Sequence, residues 1–289
     1  MPVIESAIAT SSAAFQDNRA QHLALIEGFR AIEARIRETS ARNREKFESR
    51  GQLLPRDRIA LLIDRDTPFL EISTLAGLGM HEDDGEANVY GGGAIAGIGF
   101  VCGVRMMIFA SDSGIKGGAA HPMGVEKQIR VQEMAIENRL PYLQLVESAG
   151  ANLMLQADLF VRGGRTFANL AKMSSLGLPV ISVVNGSSTA GGAYQVGLAD
   201  YTVMVRKRSK VFLAGPPLLR AATGEIAVDE ELGGAEMHSS VTGVGDYLAE
   251  DDGDAIRVAR ELVAKLGWDR PAPAAGKPPR YDAEELLGI

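Results

Sequence analysis

The segment PVISVVNGSSTAGGAYQVGLAD (residues 179–200) joins a run of β-branched residues to a helix-like run through a bend of small residues. The VISVV run at 180–184 predicts a buried strand, and a helix is predicted at 193–199. The bend between them contains no His, Cys or Lys. Small residues leave backbone N–H groups open to a ligand, and the N-terminus of the next helix adds about half a positive charge. The segment therefore predicts a strand–bend–helix unit in which the backbone itself forms a site.

Two further loops have the same character, KGGAAHP (116–122) and ESAGAN (147–152). Strands are predicted at 94–101, 104–111 and 142–146, and helices at 123–138 and 164–175. The alternation of strand, small-residue loop and helix predicts an α/β fold whose loops form the site. Two N–H groups that converge on one carbonyl oxygen would make an oxyanion hole. On composition alone, glycines that merely allow close helix–strand packing are an equally good interpretation.

Composition excludes several classes of function. The net charge of −7 argues against a nucleic-acid partner. The single cysteine, Cys102, excludes an internal disulfide and a cysteine-based metal cluster, and it fits a reducing cytoplasm. The four histidines show no metal-ligand spacing, and no G-x-S-x-G or H-E-x-x-H motif occurs. No apolar run reaches the roughly 18 residues of a membrane span. We therefore expect a cytoplasmic protein with no metal, membrane or nucleic-acid site.

The chain divides into three predicted regions. Residues 1–50 form a helical arm, because apolar residues recur every three or four positions as far as Phe47. Residues 51–268 form the α/β domain. Residues 269–289 form a proline-rich linker and tail, which ends where a further element would be expected to begin.

Four blocks of sequence together match a known family: KGGAAHPMGVEKQIRVQEMAIENRLPYLQLVESAGANLMLQAD (116–158), NGSSTAGGAY (185–194), FLAGPPLLRAATGE (212–225) and DEELGGAEMHSSVTGV (229–244). They resemble the carboxyltransferase β subunits of biotin-dependent acyl-CoA carboxylases, of the 3-methylcrotonyl-CoA and geranyl-CoA type. The resemblance covers about 55–266 and only the N-terminal half of such subunits. It implies a crotonase-like spiral of repeated ββα units with an N-terminal helical arm.

The resemblance also implies a set of site residues. The catalytic backbone amides fall at Gly191, Gly192, Gly150 and Ala151, and the substrate-binding residues at Lys116, Gly117, Gly118, Ala149 and Tyr194. Where relatives commonly have Asp-Ser-Gly-Gly-Ala, this chain has ESAGA at 147–151, and the alanine at 149 would disfavour a positive φ. Glu147 is expected to cap the next helix rather than to act as a base.

The implied reaction moves a carboxyl group from carboxybiotin, on a partner carrier protein, to an acyl-CoA through an enolate held by backbone N–H groups. The implied partners are a biotin carboxylase and carrier subunit, a C-terminal carboxyltransferase half in another chain, and further copies of this chain in a homo-oligomer. Two alternatives stay open. One is a biotin-independent decarboxylase, hydratase or hydrolase of acyl-CoA on the same fold. The other is a non-catalytic CoA-binding remnant.

Overall fold

The computed structural model of the protein describes residues 5–80, 90–268 and 278–289. The α-helices are α1 (Ala13–Ala41), α2 (Arg44–Glu48), α3 (Pro55–Leu62), α4 (Pro122–Glu137), α5 (Gln156–Ser175), α6 (Gly191–Gly197), α7 (Pro216–Thr223), α8 (Asp229–Gly233), α9 (Ala235–Met237) and α10 (Asp252–Lys265). None of the described helices combines the length and the apolar character that crossing a bilayer requires.

The described strands form one mixed sheet. They are β1 (Leu70–Glu71), β2 (Ala94–Val101), β3 (Val104–Ser111), β4 (Tyr142–Ser148), β5 (Val180–Thr189), β6 (Tyr201–Val205), β7 (Lys210–Phe212) and β8 (Tyr247–Ala249). The order across the sheet is β1-β2-β3-β4-β5-β6-β8, and β7 pairs with the end of β5. The β1–β2–β3 meander is antiparallel, and every pairing from β3 onward is parallel. The predicted α/β class is confirmed.

Helices cover both faces of this sheet. On one face α3 and α10 pack on the strands, with Leu62, Ile256 and Val263 in the core. On the other face α4 and α5 contribute Val131 and Leu170 to a second core. Because both faces are covered, the central strands are near-continuous apolar runs rather than alternating ones. Strands β3 to β6 run parallel, so their carboxyl ends lie at one common edge of the sheet. That edge carries the small-residue loops that follow β3, β4 and β5.

Three predicted boundaries are wrong. Strand β5 continues to Thr189, because its last three residues pair with β7, so α6 begins at Gly191 rather than at 193. Helix α5 begins at Gln156, eight residues earlier than predicted. The predicted N-terminal helix to Phe47 is interrupted after Ala41, and α2 is a separate short helix.

The contacts of the chain divide it into two compact units, Met1–Arg37 with Ala272–Ile289, and Glu38–Pro271. Within the first unit the described tail packs against the N-terminal helix. The ring Nδ1 of His22 hydrogen-bonds the carbonyl of Leu287 at 2.7 Å, and Arg19 pairs with Glu284 at 2.7 Å. The predicted regions 1–50, 51–268 and 269–289 stay predictions, and residues 269–277 of the predicted linker lie outside the described residues.

One lysine is buried beneath the sheet edge in the second unit. The Nζ atom of Lys127 donates to the carbonyls of Gly91 at 3.0 Å and Ala94 at 2.7 Å. Burial disfavours its charged form and lowers the pKa of Lys127 to about 8. The lysine thus connects α4 to the turn before β2. The free-energy cost of burying its charge depends on pH.

We expect this cost to fall above pH 8, where the folded chain loses the Lys127 proton. Between pH 8 and about 10.5 the unfolded chain holds the Lys127 proton and the folded chain does not, so stability rises with pH in that window. In urea titrations, the free energy of unfolding of the wild type minus that of Lys127→Met should rise by up to about 1.4 kcal/mol per pH unit. Lys172→Met, at an exposed position of α5, is the control. Parallel curves for the wild type and Lys127→Met would contradict the expectation.

Candidate active site

The loops after β4 and β5 line one cavity of about 800 Å³. They meet because β4 and β5 are adjacent parallel strands, whose carboxyl ends lie at the same edge of the sheet. Residues 148–151 line the cavity from the first loop, and residues 189–192 line it from the second. The apolar wall is made by Leu153, Leu159, Phe160, Phe167, Leu213, Pro217 and Leu218. A bulky hydrocarbon group fits such a lining better than a polar one.

The second loop presents two unpaired amides. Gly191 and Gly192 are the first residues of α6, and first-turn N–H groups have no intrahelical acceptor. Within the described part of the chain, neither amide donates a hydrogen bond to a protein acceptor. Both residues line the cavity. The structure therefore leaves at this position the donors that an oxyanion hole needs.

A strained residue sets the direction of these amides. Ala190, between β5 and α6, has φ 51° and ψ −118°, a combination that is costly for a residue with a Cβ atom. The Ala190 amide donates to the carbonyl of Phe212 at 3.1 Å, which extends the β5–β7 pairing past the last strand residue. This sharp strand-to-helix turn has the geometry that other folds use to expose a reactive group at the top of a sheet.

The first loop offers fewer free donors than its sequence predicts. The Gly150 amide donates to Ser148 Oγ at 3.1 Å, so that predicted donor has an internal partner. Within the described residues, the amides of Ala149 and Ala151 donate to no protein acceptor. The positive φ of the loop, 89°, falls on Gly150 and not on Ala149, so the alanine at 149 introduces no backbone strain.

The two loops touch each other. A Cβ atom on Gly192 would lie 2.9 Å from Ser188 Oγ and 3.3 Å from Ser148 Cβ. A Cβ atom on Gly150 would lie 3.3 Å from Thr189 Oγ1. The glycines are thus needed for close approach, and that approach brings the two sets of amides to the same part of the cavity.

The remaining predicted substrate-binding residues fall in two places. Tyr194 lines the main cavity and contacts Phe167, with ring centroids 5.2 Å apart. Lys116 and Gly117 line a second, polar cavity of about 350 Å³, together with Lys46 and Arg50. Gly118 packs against the end of β4, since a Cβ atom there would collide with the carbonyl oxygen of Glu147. The 116–122 loop nevertheless contacts the first amide loop, because the Ala120 amide donates to the Gly150 carbonyl at 2.8 Å and the Asn152 amide donates to the Ala120 carbonyl at 3.1 Å.

The expected cap role of Glu147 is wrong. Asn152 caps the turn after the first loop, its Oδ1 accepting from the Met154 amide at 3.1 Å. The Glu147 carboxylate instead pairs with Arg58 at 2.8 Å. Local sequence could not reveal this pair, because its members are 89 residues apart.

Helix α7, which supplies Pro217 and Leu218 to the cavity wall, was not predicted from the sequence. A signal was present, because the helix begins with proline and ends at Gly224 in a left-handed conformation.

The main cavity is nearly free of ionisable groups. Among its lining residues in the described chain are no acidic, basic or histidine side chains, and Tyr194 is the sole titratable group. Nor do the described residues include a group of three or more His, Cys, Asp or Glu able to hold a metal ion. The polar groups of the cavity are therefore backbone groups and the neutral side chains of Gln128, Ser148, Thr166, Thr189 and Gln195.

The cavity thus has two loops with free backbone amides at the edge of a parallel sheet, an arrangement that is suited to binding an oxyanion. The chain belongs to the carboxyl transferase domain family, whose sequence model matches residues 46–288.

Two curated relatives are similar over most of this chain. It is 50% identical, over 247 residues, to a probable biotin-dependent acyl-coenzyme A carboxylase beta2 subunit of Mycobacterium tuberculosis, with 85% of this chain and 46% of the relative covered. It is 43% identical, over 310 residues, to a probable mitochondrial methylcrotonoyl-CoA carboxylase beta chain of Drosophila melanogaster, with 99% and 53% covered. The chain spans about half the length of these relatives.

Two solved structures share the fold. The beta subunit of geranyl-CoA carboxylase from P. aeruginosa superposes with a TM-score of 0.90 at 51% identity, over 100% of this chain and 54% of that subunit. The transcarboxylase 12S hexamer with hydrolysed methylmalonyl-coenzyme A superposes with a TM-score of 0.74 at 28% identity, over 82% of this chain and 46% of that one. The predicted crotonase-like fold is confirmed.

Replacing Gly192 by valine should lower turnover at this site by about 10²–10³-fold and leave the fold intact. The new side chain would meet Ser188 and Ser148 and displace the amide, and loss of one oxyanion donor costs about 10²–10³ in kcat. Gly197→Ala, in the same helix, is the matched control, because a Cβ atom there meets nothing within 4 Å. Turnover of acyl-CoA and far-UV circular dichroism check both variants. Activity that survives in Gly192→Val would show that this amide is not a donor.

Proposed function

We propose that this chain is the acyl-CoA half of a biotin-dependent carboxyltransferase, acting on an acyl-CoA of the 3-methylcrotonyl type. The observation that supports this most is the cavity with free amides at Gly191 and Gly192 and no carboxylate or histidine of its own. A hydratase needs an acid–base group at the reacting carbon. A carboxyltransferase does not, because its second substrate brings the base.

The backbone amides would stabilise the enolate. When an α or γ proton leaves the acyl-CoA, negative charge collects on the thioester oxygen, and amides aimed at that oxygen stabilise it. Each such donor contributes about 3–4 kcal/mol in the transition state. We assign the second-loop donor to Gly191 or Gly192. The first-loop donor falls to Ala151 or Ala149, because the Gly150 amide already donates to Ser148.

Carboxybiotin, held on a carrier protein, would supply both the carboxyl group and the base that removes the proton. The described residues that line the main cavity fit this proposal, because they provide apolar side chains and backbone donors but no carboxylate or histidine to accept a proton. The apolar wall would hold a branched hydrocarbon chain near the amides and limit water at the reacting carbon.

The polar cavity is placed to hold the phosphates of CoA. Lys46, Arg50 and Lys116 bring three cations to it, and within the described residues none of the three forms an ion pair. The cavity is next to the first oxyanion loop, because Glu147 lines it and Ser148 lines the acyl cavity. We assign Lys116, with Gly117 and Gly118 shaping its turn, to this phosphate contact.

The proposed partners follow from the need for other proteins to make, carry and bind the carboxybiotin. They are a biotin carboxylase with its biotin carrier, a C-terminal carboxyltransferase half in another chain that holds the biotin, and further copies of this chain. The relatives named above are beta subunits, and the 12S transcarboxylase is a hexamer. A cytoplasmic location is part of the proposal and agrees with the single, unpaired cysteine.

The test is a reconstitution. Purified chain is incubated with 3-methylcrotonyl-CoA, a biotin carboxylase and carrier, ATP and labelled bicarbonate, with and without a C-terminal half from a relative. We expect labelled product only when that half is present, and binding of acyl-CoA in both cases. Hydration, hydrolysis or decarboxylation of acyl-CoA by the chain alone would favour the alternative activities instead.

A further inference from the structure

The strands that carry the two amide loops fall out of register just before the site. In the β4–β5 ladder, Val146 pairs with Val184, but Ser148 pairs with Ser188. Three residues of β5 therefore lie opposite Glu147 alone. An irregularity of this kind bends a strand and redirects its end, and such features are common beside active sites.

The carboxylate of Glu147 fills the space that the irregularity creates. A Cβ atom on Gly186, opposite it, would lie 2.8 Å from the Glu147 carboxyl carbon, so only glycine leaves room. Arg58, of which 1% is exposed, donates from Nη1 to Glu147 Oε2 at 2.8 Å. The Gln52 amide approaches the other carboxylate oxygen at 3.5 Å.

Arg58 links this carboxylate to the other strand. Its Nε donates to Asp252 Oδ2 at 3.1 Å, and Asp252 Oδ1 accepts from Asn185 Nδ2 at 3.0 Å. Glu147 belongs to β4 and Asn185 to β5. The side chains of Arg58 and Asp252 therefore connect the two strands. Asp252 and Arg58 are almost completely buried.

A buried ion pair of this kind is weak as a source of stability, because desolvation offsets most of its attraction. Apolar residues could fill the same space. The pair instead fixes the relative positions of the residues that it joins, because a guanidinium binds carboxylates at fixed distances and directions. Through these contacts, Arg58 fixes the distance between Glu147, which precedes the 148–151 loop, and strand β5, which leads into the 189–192 loop.

We propose that Arg58 and Glu147 are positioning residues, which fix the spacing of the 148–151 and 189–192 loops so that amides from both reach one thioester oxygen. The proposal rests on the proposed function. Neither residue is among those that line the main cavity, so both act through the loops. A displacement of about 1 Å at an oxyanion hole costs about 10²-fold in rate, so a small change in this pair should be visible in the chemistry.

The test measures polarisation of the bound substrate. 3-Methylcrotonyl-CoA labelled with ¹³C at the thioester carbonyl is bound to the full chain, and its C=O stretching band is recorded by isotope-edited infrared difference spectroscopy. In the wild type the amides should shift the band to lower frequency. In Glu147→Gln, which keeps the side-chain volume but removes the charge, the shift should fall to less than half when the variant is saturated with acyl-CoA.

Glu71→Gln is the matched control. Glu71 pairs with Arg56 in helix α3 at 2.8 Å, its side chain is similarly buried at 12% exposure against 16% for Glu147, and it lies in β1, away from the loops. This control should keep the full wild-type shift. Glu147→Asp, which restores the charge on a shorter side chain, should recover part of it, and it replaces Glu147→Gln if that variant does not fold.

The outcomes separate the two proposals. A wild-type band at the frequency of free acyl-CoA would overturn the oxyanion assignment itself. A wild-type shift that Glu147→Gln retains in full would overturn the positioning role and leave the proposed function standing. An equal loss in Glu71→Gln and Glu147→Gln would also overturn it, because the effect would then be general loosening.

Discussion

The site depends on a simple constraint: the first amides of a helix cannot be paired within that helix. At Gly191 and Gly192, within the described residues, these amides stay unpaired, and both residues line a cavity. The strained turn at Ala190 and the close contact of Gly192 with Ser148 both serve this arrangement. Since β4 and β5 are parallel neighbours, the second set of amides lies at the same edge of the sheet.

This constraint explains why the cavity has almost no titratable groups. Backbone dipoles stabilise developing charge best where water and competing charges are absent, because the effective dielectric constant is then low. The charged side chains lie behind the loops, as in the Arg58–Glu147 pair, or in the neighbouring polar cavity. The arrangement suits a reaction in which the protein holds an enolate and another molecule brings the base.

Much of the fold could be predicted from local sequence. The β-branched runs and the small-residue loops predicted the alternation of strands and helices, and the quoted blocks predicted the family. The predictions failed where distant residues decide the structure. Strand β5 runs to Thr189 only because β7, about 20 residues later, pairs with it.

The same limit applies to the site. The glycine loops were visible in the sequence, but the internal bond from Gly150 to Ser148 and the strain at Ala190 depend on the assembled backbone. The partner of Glu147 could not be found from spacing, because α3 reaches it only through the packing of the sheet. Sequence thus located the loops, whereas the folded conformation of each loop decides which of its amides are free.

The most direct measurement is a crystal structure of the chain with an acyl-CoA bound. We predict that the thioester oxygen lies about 2.7–3.1 Å from the amide nitrogen of Gly191 or Gly192 and from one amide of the 149–151 loop. A thioester oxygen bound by side chains, or lying outside the cavity between the two loops, would contradict the account.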